Sequence, residues 1–146
     1  MSREHPDHHD AELALRVYEL RREPVMRASR DSITGKFWPK TYDDVKAVFS
    51  NFEHPLNAGW RQVGTYWEMV YGMVRHGIVH PDYFLETNGE GLFLFAKVAP
   101  FLDEIRRDVS PRSFANTEWV AKETETGRRM FELISARVKK MAESRG

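Results

Sequence analysis

The chain contains no cysteine. That absence removes disulfides, thiol nucleophiles, thiolate zinc sites and iron–sulfur clusters together, and it fits a reducing compartment. A long apolar run is also missing. Nothing approaches the roughly 20 apolar residues of a membrane span, and the polar, acidic N-terminus has no apolar core of a signal peptide. A cytoplasmic protein with no membrane association is the expectation. Net charge is absent too: 22 Lys and Arg balance 22 Asp and Glu, so no bulk field draws the protein toward nucleic acid or anionic lipid. There is no glycine-rich phosphate loop, because Gly89-Glu90-Gly91 lacks a preceding strand and a Lys/Ser pair and reads as a turn. Strand signals are lacking as well. The one strand-like run, Leu92 to Phe95, continues into helical spacing at Val98, Phe101, Leu102 and Ile105. No Ser/His/Asp arrangement can be read from the spacing, so no catalytic residue and no cofactor are expected.

What is present suits an ordinary core. The 146 residues are 41% hydrophobic and 12% aromatic, and a domain of that length buries roughly 70% of its unfolded surface. Residues 1–10 read as a flexible leader, with Asp7 or Asp10 as a helix N-cap, and 11–146 as a single helical domain. Leu13, Val17 and Leu20 mark a helix over 11–23. A second helix follows from Pro24 to Ile33, with Val25, Met26, Ala28 and Ile33 inward and Thr34-Gly35 at its end. Thr41 and Asp44 form a capping box for a helix over 42–50. Trp60, Val63, Trp67, Val70 and Val74 recur at intervals of three and four, which predicts a long central helix over 57–76 ended by Gly77. A short helix opens at Pro81, and another runs over 92–107 with a kink at Pro100. The last helix is expected over 117–143, capped by Asn116. Its apolar face runs through Val120, Thr124, Gly127, Phe131, Ile134, Val138 and Met141, and its small residues would let it cross the central helix closely. The result is an all-α fold, an irregular bundle of about six or seven helices.

Three stretches carry a resemblance. These are Glu23-Pro24-Val25-Met26-Arg27 after an amphipathic helix, Trp67-Glu68-Met69-Val70 leading into His76-Gly77-Ile78-Val79, and Pro100-Phe101 ahead of Glu104-Ile105-Arg106-Arg107. Over roughly Leu13 to Arg107 the chain resembles a family of small bacterial all-helical proteins known only as a domain of unknown function. The resemblance implies an all-helical fold and supplies no activity, cofactor or site residue. Similar proteins often carry an N-terminal membrane helix, for which this sequence has no apolar run.

Candidate chemistry is sparse. His76 and His80, four apart and followed by Asp82, have the ligand types of a divalent-metal site, although Gly77 and Pro81 break the helix that would align them. His5, His8 and His9 with Asp7 and Asp10 form a tract able to hold metal loosely. Glu68, on the helix expected to be most buried, is a candidate general acid if it lacks a partner, or else pairs with Arg61 or Arg75. Residues 128–146 carry six basic side chains (Arg128, Arg129, Arg137, Lys139, Lys140 and Arg145) against Glu132 and Glu143. With Arg21, Arg22, Arg27 and Arg30 they could contact phosphates. Trp60, Trp67 and Trp119 belong to helix faces, whereas Trp38, between Phe37 and Pro39, is the aromatic with an edge to present to a partner. The leading expectation is a non-enzymatic interaction module, binding a protein partner or itself, with Phe37 and Trp38 as its contact residues. Second is a nucleic-acid-associated protein using Arg137, Lys139 and Lys140. Third is a metal-dependent enzyme or binder at His76, His80 and Asp82.

Overall fold

Asp7 starts the first helix. Its carboxylate accepts the His9 and Asp10 amides, and Asp10 accepts the Asp7 amide at 2.8 Å, a reciprocal box that opens α1 (His8–Arg22). In the computed structural model, which describes residues 4–145, this helix begins inside the segment expected to be a flexible leader. Asp10 explains the correction: it is fully buried, and its Oδ1 accepts the His80 amide at 2.8 Å. Residues 1–3 of that expected leader lie outside the described residues.

Pro24 opens α2 (Pro24–Lys36), where Glu23 accepts the Met26 amide. Met26 and Ile33 face inward as expected, but Val25 is exposed. The helix also runs past Thr34-Gly35 to Lys36. The Thr41/Asp44 box opens α3 (Tyr42–Phe49) as read from the sequence, and the Asn57 side chain ties α3 to α4 by donating to the Val48 carbonyl at 2.7 Å.

Helix α4 (Asn57–Arg75) buries the expected stripe together with Tyr66 and Tyr71. Its chain reverses at Gly77, whose φ of 72° lets the Ile78 amide return to the Met73 carbonyl. Three elements follow: α5 (Pro81–Leu85), α6 (Glu90–Val98) and α7 (Leu102–Asp108). Pro100 sits in a 3-10 turn, Ala99–Phe101, that separates α6 from α7. Helix α6 lies against α4 because Gly91 has no side chain; a Cβ there would stand 2.5 Å from the Tyr71 ring.

The last segment differs from the single helix expected over 117–143. It forms α8 (Ala115–Glu123) and α9 (Glu125–Ser144), broken at Thr124, whose ψ is 141°. Thr124 Oγ1 donates to the Val120 carbonyl at 2.8 Å and accepts the Gly127 amide at 2.9 Å, so it ends one helix and caps the next. Gly127 is small because a Cβ there would overlap the Val120 carbonyl oxygen. These small residues therefore make the break, not a close crossing with the central helix. It is α8 that packs on α4, while α9 packs on α6, with the Phe131 and Phe95 rings 5.4 Å apart.

Polar bonds lock the helices at chosen points. Arg30 of α2 grips Glu90 of α6 through Nε at 2.9 Å and Nη2 at 2.6 Å, and the Trp67 indole N–H of α4 reaches the same carboxylate at 3.3 Å. The Tyr66 hydroxyl donates to the Val17 carbonyl of α1 at 2.6 Å. Among the described residues there is no strand, and no helix is long and apolar enough to cross a membrane.

Candidate functional site

His76, His80 and Asp82 do line one cleft, of about 530 Å³, where the end of α4 and the start of α5 meet the junction of α8 and α9. Two of the three are otherwise engaged. His80 Nδ1 accepts the Tyr83 amide at 3.3 Å as the cap of α5, and its Nε2 lies 3.4 Å from the Glu4 carbonyl, so the proton resides on Nε2. Asp82 accepts the Thr126 hydroxyl at 2.6 Å. Among the described residues, no group of three or more His, Cys, Asp or Glu side chains is arranged to hold a metal ion. Of the N-terminal tract, His8 and His9 belong to the first turn of α1 and point to solvent.

Glu68 is neither an unpaired acid nor paired with Arg61 or Arg75. Its two carboxylate oxygens accept the amides of Asn116 at 2.7 Å and Thr117 at 3.0 Å, at the start of α8. The N-cap position itself belongs to Phe114, at φ 60°, and not to the expected Asn116.

The two residues of the expected contact patch part company. Phe37 is buried, packed against both Phe49 and Trp60. Trp38 is half-buried and lines a groove of about 690 Å³ between the loop after α2, the Pro100 turn and the C-terminal half of α9. Its ring meets Phe93 edge-on, with centroids 6.0 Å apart. Two cations lie against that same ring: Lys97 Nζ at 4.0 Å and the Arg145 guanidinium at 4.5 Å from the centroid.

Lys97 is the residue that sequence reasoning passed over. It is 5% exposed, and its ammonium donates to the carbonyls of Ile33 (3.2 Å), Thr34 (3.0 Å) and Phe37 (2.8 Å). It thereby adds a donor at the C-terminal end of α2, where the Ile33 carbonyl also accepts the Phe37 amide at 3.2 Å. Burial pushes the ammonium down to about 7, and the Arg145 charge adds to that shift. The available signal was a lysine set among the apolar residues Leu94, Phe95 and Val98 of α6, where a solvated charge has no place.

Arg137, Lys139 and Lys140 are all exposed on α9, and of these only Lys139 lines the groove. Their helix also exposes Glu132 and Glu143, so the basic run is interrupted.

The model of a family described as a domain of unknown function, DUF4760, matches residues 6–124, and the chain belongs to that family. No curated protein and no solved structure matches it significantly. The matched segment ends at Thr124, the residue that caps α9.

Proposed function

We propose that this member of the DUF4760 family is a non-enzymatic helical interaction module that docks an acidic amphipathic helix of a partner protein in the groove at Trp38. The observation that carries the reading is Trp38 itself, half-buried at the groove wall with Lys97 and Arg145 both against its ring. A tryptophan held rigid at the edge of an apolar depression is the side chain that most often dominates a docking interface. Ala96, Pro100, Phe101 and Val138 supply apolar surface for a helix laid along the groove. Lys40, Lys139 and Arg145 stand at or beside the groove against one acid, Glu143, so charge complementarity selects an acidic occupant.

The test is a synthetic helical peptide with a Leu/Phe stripe flanked by glutamates, titrated by tryptophan fluorescence and calorimetry. Binding is expected for the acidic peptide, reduced about tenfold by Lys139→Glu and abolished by Trp38→Ala. Equal binding of a lysine-flanked version of the peptide would overturn the reading. Light scattering decides between partners. A monomer at micromolar concentration is expected, whereas a dimer that separates in Trp38→Ala would make a second copy the occupant.

A further inference from the structure

On the opposite side of α4 from the Arg30–Glu90 lock, the aromatic cluster opens into a second depression that shares no residue with the Trp38 groove. It has a volume of about 450 Å³ between α4, the segment after α7 and the start of α8, within the range of small-molecule sites. Its inner wall is Trp60, stacked on Phe49 with centroids 4.3 Å apart, and Phe114, whose ring centroid is 5.8 Å from that of Trp60.

Two backbone features keep it open. Gly64 leaves the Trp60 ring uncovered from the helix above, since a Cβ there would stand 3.3 Å from the ring. Phe114 holds a φ of 60°, the one non-glycine residue with positive φ among the described residues. That conformation costs of the order of 1 kcal/mol, and it turns the ring onto Trp60 and Phe95. The lips are apolar and bare: Met69 is 62% exposed and Val109 is 44% exposed.

The charge at the mouth is mostly positive. The chamber adjoins a polar recess of about 450 Å³ with which it shares Glu68, Arg112 and Asn116. Arg61 lines the chamber, Arg75 and His76 line the recess, and Arg112 lines both. Glu68 is the one acid on either lining, and its oxygens are taken by the α8 amides. Among the described residues, none of Arg61, Arg75 and Arg112 forms an ion pair. Arg61 donates to Asn57 Oδ1 at 2.9 Å and Arg75 to Asn116 Oδ1 at 3.3 Å, which leaves Arg112 as the cation shared by chamber and recess.

We infer that this chamber binds a small organic anion, its apolar body against Trp60 and Phe114 and its acidic group at Arg112. An apolar wall with guanidiniums free of ion pairs at its mouth selects that class over neutral or cationic molecules. The probe is anilinonaphthalene sulfonate, an aromatic body with one sulfonate, titrated into the full chain. Its neutral counterpart is phenylnaphthylamine. A single saturable site is expected, with the neutral probe weaker by about tenfold. Arg112→Glu and Met69→Glu, both at exposed positions that leave the core intact, should each weaken the sulfonate by a similar factor. Gly64→Leu should remove binding, with near-ultraviolet circular dichroism confirming a native fold. Trp38→Ala should leave binding unchanged. Equal affinity for the two probes would overturn the inference. So would a sulfonate signal indifferent to Arg112→Glu, or one lost in Trp38→Ala. Neither of those results touches the peptide measurements at the groove.

Discussion

Glu68 of the central helix caps α8 on behalf of Phe114: its Oε1 accepts both the Thr117 amide at 3.0 Å and the Thr117 hydroxyl at 2.8 Å. Phe114 occupies the cap position with no side-chain oxygen to offer. A carboxylate from another helix satisfies the amides, and its charge is favourable at the positive end of the helix dipole. Glu68→Ala should therefore destabilise the protein by about 2 kcal/mol, read as a lower urea midpoint with an unchanged slope. Glu68→Gln keeps an acceptor without the charge and should fall between. An unshifted midpoint in Glu68→Ala would show that water serves those amides equally well.

The break at Thr124 gives a second prediction with an internal ranking. Thr124→Ala removes a cap and should cost about 1 kcal/mol. Gly127→Ala must push a Cβ into the Val120 carbonyl oxygen, and should cost about 3 kcal/mol. If the two segments were one helix, Gly127→Ala would instead be neutral or stabilising through helix propensity. Thermal unfolding of the two variants side by side distinguishes these outcomes.

Lys97 should leave a signature in the pH dependence of stability. Its ammonium is held at about 7 when folded, against 10.5 for an ordinary lysine. Between those values the unfolded chain binds more protons than the folded one, so the stability contributed by this residue rises with pH. The difference between wild type and Lys97→Met should grow in favour of wild type from about pH 7 toward 10.5, and be flat below. A difference that stays flat from about pH 7 to 10.5 would mean that the three carbonyl acceptors outweigh burial. At neutral pH Lys97→Met should also loosen the end of α2, visible as faster amide exchange from Gly35 to Trp38.

Asp10 joins the start of α1 to the start of α5 through the His80 amide. Asp10→Ala loses that bond together with its half of the capping box. It should cost about 2 kcal/mol and make the bonds near residue 10 more open to limited proteolysis. Digestion at the wild-type rate would show that the apolar contacts of α1 suffice to hold it.

The sequence made the local features legible. The α4 stripe follows from spacing alone, the Thr41/Asp44 box from four adjacent residues, and the turn at Gly77 from a glycine after a basic helix end. Membership of an uncharacterised helical family was visible in the segments around Pro24, Trp67 and Pro100. What was not visible has a partner distant in the chain. Asp10 reads as a cap residue until His80 is brought to it, and Glu68 as a surface or reactive acid until α8 arrives. Lys97 stands out only once the end of α2 is placed over it. The break at Thr124 was hidden differently. Val120, Phe131 and Ile134 stay in phase across it, so the apolar repeat conceals a residue whose backbone is extended. Trp38 was recognised as a contact candidate but its cations were not, because Lys97 and Arg145 are neighbours of the ring in space only.

The boundary of the family match gives the helix break a further meaning. Residues 6–124 end where α9 begins, yet α9 covers α6 through Phe131 and stands over Gly89 through Met130 and Ile134. In this chain a helix from beyond the matched segment is the cover, and it brings Val138, Lys139 and Arg145 to the Trp38 side.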